Sequence, residues 1–168
     1  MLDRLNARAA ALLADVFDFD VARLDPVEPV RPASGGALRA VAGDASGGTF
    51  FLCGDDGPVL YASSEGSAGI LAADLEAAIR LIVAIPTWQD VVPLAPDLAA
   101  MRASFEASYT EMQEYEPRID QLRAEAAAEL GLGPVPLDEL LTSLSVCLTE
   151  LSPAYVLLNE DGDAYDSL

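Results

Sequence analysis

The chain has 168 residues, 28 acidic side chains against nine basic ones, and a net charge of −19. That length suits one domain able to bury most of its unfolded surface, and an apolar fraction of 52% supports a packed core. The charge argues against nucleic-acid binding, which needs clustered cations to displace counterions, and disfavours an anionic membrane surface likewise.

All nine basic residues are arginines, and histidine is absent. Without histidine there is no Ser-His or Cys-His pair and no HExxH zinc helix. Without lysine there is no Walker A phosphate lysine and no Schiff base. Carboxylate, hydroxyl, thiol and guanidinium chemistry remain, and no cofactor is implied.

Taken in chain order, Leu2, Leu5, Ala9, Leu12, Leu13 and Val16 recur at helical spacing, which predicts an amphipathic helix over 2–17. Asp3 and Asp15 flank this run, so it lacks the basic start of a secretory leader. No segment approaches the ~18 apolar residues that span a bilayer. The expectation is a cytoplasmic protein.

Prolines at three-residue spacing in LDPVEPVRP, residues 24–32, predict an extended connector. LRAVA, TFFLC and VLYASS then predict three antiparallel strands, the last two joined by a tight turn at Gly54-Asp55-Asp56-Gly57. Phe50 and Leu52 should face one side of the sheet and Phe51 the other, so both faces need cover, which helices should supply.

A stripe of Leu75, Ala78, Ile79, Ile82 and Val83 predicts a helix from about Asp74 to Ile85, ended by Pro86. Leu98, Met101, Phe105 and Met112 predict another. Pro117 either kinks it or opens a further helix that stops at Gly131, and a leucine stripe predicts a last helix over 137–151. The tail should begin as a strand and end as a frayed acidic terminus. Together these elements describe a single α+β domain over residues 1–168, a small antiparallel sheet of about three to five strands covered by helices, with a helical C-terminal half.

Each chemically suggestive cluster has a plainer structural reading. Asn159, Asp161 and Asp163 resemble the start of a calcium loop, but a twelve-residue loop would run past Leu168, so a solvated tail is preferred. Asp55 and Asp56 belong to a turn. Asp15, Asp18 and Asp20 trail a helix end. The glycines of GDASGG and EGSAG match neither dinucleotide nor Walker patterns, although EGSAG is read as preceding a helix whose N-terminus could hold an anion. Ser63 and Ser64 lack a base.

Cys53 and Cys147 sit in apolar runs and read as buried thiols, with a disulfide between them left open. Trp88 reads as a core plug, with an interface anchor as the sharper alternative. Tyr109 and Tyr115 read as core or half-buried. Glu106, Glu111, Glu114 and Glu116 form the outer face of their helix, solvated or docked on a basic partner.

GDASGGTFFLCGDDGPVLYASSEGSAG, the helix ADLEAAIRLIVAI and the following PTWQD together resemble the central segment of the SMI1/KNR4-like, or SUKH, superfamily, over about residues 38–95. Val59 and Tyr61 would stand in its V-x-Y strand. The resemblance implies a non-enzymatic α+β binding module, often an immunity protein that neutralises a cognate toxin, and many such toxins are basic nucleases. Asp55, Asp56 and Glu65, whose loops border the sheet, are then candidates for partner recognition, with Trp88 as apolar anchor. Two alternatives stand beside this: a regulatory or assembly protein of the same fold without a toxin partner, and a metal-dependent enzyme using carboxylates alone.

Overall fold

Residue alternation in TFFLC and VLYA sets the centre of the molecule, because successive side chains of a strand point to opposite faces. In the computed structural model, which describes residues 5–168, the strands in chain order are β1 (Arg31–Pro32), β2 (Leu38–Gly43), β3 (Thr49–Cys53), β4 (Val59–Ala62), β5 (Ser67–Ala72), β6 (Leu157–Leu158) and β7 (Asp166–Ser167). A five-stranded sheet has the order β2-β3-β4-β5-β7. Its first four strands are antiparallel and β7 joins parallel to β5, while β1 and β6 form a separate ribbon.

The sheet has five strands, the upper end of the expected three to five, and β7 makes it mixed rather than wholly antiparallel. Ser67–Ala72 carries no strand expectation, because serine, glycine and alanine have little strand preference. It is instead a full strand opposite β4. The terminus is not frayed: the Asp166 N–H donates to the Gly66 carbonyl at 2.8 Å, and Leu168 packs where a Cβ on Gly69 would stand.

Phe50, Leu52, Val59 and Tyr61 face one core, and Phe51, Cys53, Leu60 and Ala62 the other. Register shifts between Ala40 and Ala42 and between Val59 and Leu60 modify the alternation. They let consecutive residues, Val41 with Ala42 and Leu71 with Ala72, enter the same core.

Six α-helices stand among the described residues: α1 (Ala7–Phe17), α2 (Leu75–Ala84), α3 (Trp88–Val91), α4 (Leu98–Tyr115), α5 (Ile119–Leu130) and α6 (Leu137–Val146). The part of the N-terminal stripe at residues 1–4 lies outside the described residues. Asn6, Asp74 and Asp97 cap α1, α2 and α4, each side chain accepting from backbone N–H groups one turn on at 2.8–3.1 Å. Pro117 lies in the break between α4 and α5, and Gly131, at φ 67°, ends α5 as expected.

The last helix is shorter than predicted. It leaves α geometry after Val146, and Cys147–Leu151 form a π turn. That turn brings Ser152 against the sheet, where its Oγ accepts from the Ile70 N–H at 2.7 Å and donates to the Cys147 carbonyl at 3.0 Å. Beyond the short β7, the edge of β5 is thus satisfied by a side chain. Together with the proline-rich connector and the β1-β6 ribbon, this turn covers the second face, where regular helices were expected.

Cys53 and Cys147 are free thiols in that second core, and burial pushes the Cys53 thiol up to about 11. Tyr115 contradicts its expected burial: it is 93% exposed at the end of α4. Tyr109 is half-buried and stacks on Phe105, with ring centres 5.1 Å apart.

The C-terminal end of α2 is closed by Arg123 from α5. Its Nε and Nη2 donate to the Val83 and Ala84 carbonyls at 3.1 and 2.7 Å, its Nη1 donates to the Tyr109 hydroxyl at 2.6 Å, and the guanidinium lies 4.9 Å from the Tyr109 ring centre. An Arg123→Ala change leaves two helix-end carbonyls unpaired and is expected to cost about 2 kcal/mol. The urea midpoint should fall, and Arg123→Lys should recover only part of the loss, because an ammonium lacks the planar fork that reaches both carbonyls.

Candidate functional site

Two of the four nominated residues meet at one end of the sheet. Glu65 in the β4-β5 turn and Trp88 at the start of α3 line an open groove of about 570 Å³, shared with Ser46, Tyr61, Gln89 and Leu168. Asp55 and Asp56 lie at the opposite end, exposed in the β3-β4 turn. The four residues therefore do not form a single patch. The turn reading of Asp55 and Asp56 holds: Gly54 adopts φ 72°, and the Cys53 N–H donates to the Pro58 carbonyl at 2.9 Å.

The groove floor is aromatic. Phe50 lies 4.9 Å from Phe19 and from Tyr61 and 6.1 Å from Trp88 between ring centres, while Tyr61 meets Trp88 edge-on at 4.9 Å. These tilted arrangements set the positive edge of one ring against the negative face of another. Trp88 is only 3% exposed, so it plugs the core and shows the groove a small part of its surface.

Beneath the rim is a buried polar knot that centres on Asp44, 2% exposed. Its Oδ1 accepts from the Gly48 N–H at 2.7 Å and the Ser46 hydroxyl at 2.8 Å, and its Oδ2 accepts from the Tyr61 hydroxyl at 2.6 Å. The sequence Gly43-Asp44-Ala45-Ser46-Gly47-Gly48 folds this way because aspartate readily bonds backbone N–H groups ahead of it, and Gly47 supplies φ 93°. Each acceptor bond goes to a fixed donor, so the carboxylate is a structural brace for the groove wall. The GDASGG motif drew notice for its glycines alone; an aspartate opening a glycine-rich turn beside an aromatic strand was the signal available for Asp44.

Burial holds the Tyr61 phenol far above its usual range, and the neighbouring Asp44 carboxylate adds to the shift through its hydrogen bond and charge. Burial, then the Glu28 carboxylate that accepts its hydrogen bond at 2.6 Å, pushes Tyr165 up to about 12. A raised phenol pKa means that the native state keeps its proton where the unfolded chain, near pH ~10, gives it up. The stability from both groups is whole below about pH 10 and is lost as pH rises towards 12 and beyond. Urea midpoints should hold below that pH and then fall steadily as it is exceeded, with tyrosinate absorbance lagging until unfolding.

The serines of the β4-β5 turn serve the backbone: Ser63 Oγ accepts from the Glu65 and Ser67 N–H groups at 3.3 and 3.1 Å. EGSAG does not lead into a helix N-terminus; α2 begins only after Asp74, so the anion site considered there does not form. Asn159 and Asp163 close a turn, with the Asp163 N–H donating to Asn159 Oδ1 at 2.8 Å. Among the described residues, no group of three or more Cys, Asp or Glu side chains converges as a metal site would require.

Two smaller cavities also open on the surface. One of about 370 Å³ lies under Leu132–Val135 and holds Arg80 and Arg123, whose guanidinium groups are already bonded to backbone carbonyls. The other, about 250 Å³, separates α2 from α6 and is mainly apolar. No single helix among the described residues is long and apolar enough to cross a membrane. Comparison of the chain with protein families, curated proteins and solved structures returns no match.

Proposed function

We propose that this chain is a non-enzymatic protein-binding module of the SUKH type, acting in the cytoplasm as an immunity protein that docks on a basic toxin partner. The observation that supports this most is the distribution of charge. Arg8, Arg23, Arg80, Arg102, Arg118 and Arg123 are held in ion pairs with acids of this same chain, and the excess of −19 is what remains once all nine arginines are counted. Asp55, Asp56, Glu65, Glu111 and Glu114 remain exposed.

Long-range attraction by such a surface raises the encounter rate with a basic partner, and contacts made after docking slow dissociation. Exposed ion pairs within the chain add little to the stability of the fold. The test is co-expression of this chain with the toxin domain of a neighbouring reading frame. Protection of the cells together with a purified complex supports the reading; no protection and no complex abandons it.

A further inference from the structure

We infer that the groove between the β4-β5 turn and α3 receives an arginine side chain of the partner, with Glu65 as its counter-charge. This rests on the partner-binding reading above and assigns it a specific contact. Glu65 lines the groove, is exposed, and has no ion-pair partner among the described residues. Among the described residues no arginine lines the groove to compete for its charge.

The remaining lining fits the two parts of an arginine. Pro93 and Leu168, with the small exposed parts of Tyr61, Trp88 and Val92, give apolar surface against which a three-carbon stem can lie. Ser64, Ser67 and Gln89 line the groove with Glu65, and their side-chain oxygens are of a type that accepts from a guanidinium. Five N–H donors in a planar fork suit acceptors spread over several residues better than the compact ammonium of lysine. The floor is held by the Asp44 knot and the aromatic cluster, so the site is formed before the partner arrives and little ordering is needed on binding.

Trp88 is the one tryptophan of the sequence, and its fluorescence therefore reports on the groove. The probe is acetyl-Gly-Arg-Gly-amide, compared with the same peptide carrying citrulline, which keeps the shape without the charge. The arginine peptide should change Trp88 emission saturably, with a dissociation constant of order ~1 mM, and shift amide resonances of residues 63–67 and 89. Glu65→Gln should weaken it about tenfold, as should replacement of arginine by citrulline.

A flat titration, or equal binding of the citrulline peptide, overturns the assignment. Capture of a basic partner with an affinity unchanged in Glu65→Gln also overturns it, while the partner-binding reading stands. Failure to capture any basic partner removes that reading and the assignment with it.

Discussion

Replacing Gly48 by alanine is expected to destabilise the protein by about 3–5 kcal/mol, although it adds only a methyl group. A Cβ at this position would stand 2.5 Å from Asp44 Oδ2 and closer still to the Tyr61 hydroxyl. Neither group can withdraw cheaply. Tyr61 is 3% exposed and wedged between Phe50 and Trp88, and Asp44 is fixed by three donors. Overpacking of a rigid core costs about 1–3 kcal/mol, and parting the Tyr61–Asp44 bond leaves a buried carboxylate short of a donor for about 1–3 more.

For a chain of this length the melting temperature should fall on the order of 10 °C. Gly133→Ala is the control, since a Cβ there meets nothing within 4 Å, and it should be close to neutral. Tyr61→Leu removes both the hydroxyl and the ring carbon Cζ that the new methyl strikes, so Gly48→Ala should cost less in that background than alone. Additive effects in this double-mutant cycle would show that the clash is not where the geometry puts it.

Phe50→Ala should cost about 3–5 kcal/mol for a different reason. The ring is 1% exposed, at the junction of Phe19, Tyr61 and Trp88, so its loss leaves a cavity bounded by three aromatic rings that cannot all collapse into it. The urea midpoint should drop with little change in slope, and Trp88 emission in the folded state should shift to longer wavelength as water gains access. Phe50→Leu retains most of the volume and should lose only about 1–2 kcal/mol. Because Tyr61 and Trp88 form the groove floor, Phe50→Ala should also weaken any ligand held there, through positioning alone.

How much of this was legible in the sequence depended on the physical signal each element carries. β3, β4 and α2 announced themselves through dense apolar side chains at the right period, and Gly131 and Pro117 ended helices for reasons intrinsic to glycine and proline. β5 was missed because SAGILA offers small residues where strand signals need branched or aromatic ones. Its place comes from pairing with β4, a contact with no local signature. β7 is set by a parallel partner about a hundred residues earlier in the chain, so an acidic tail alone pointed to fraying.

The candidate site was half legible. Acidic turns were visible as turns, but which end of the sheet each occupies follows from strand order. Asp55 and Asp56 are separated from Glu65 by the length of β4, which runs between their two turns. Trp88 was legible as a core plug but not as the start of a helix, and its neighbours in the groove, Gln89 apart, come from distant segments: Ser46, Tyr61 and Leu168. The −19 charge was legible at once. What the fold adds is that six of its nine arginines are held in internal pairs, while Asp55, Asp56, Glu65, Glu111 and Glu114 stand exposed.

The most direct test of the proposed partner binding through that acidic surface is calorimetric titration of the purified chain with the proposed partner, a toxin domain encoded by a neighbouring reading frame, at ionic strengths of about 0.05 and 0.3 M. Attraction between opposite charges predicts a stoichiometric complex whose affinity falls at least tenfold at the higher salt, because screening shortens the reach of exposed charges from over 10 Å to well below it. An affinity unmoved by salt, or no heat of binding at either ionic strength, would contradict it.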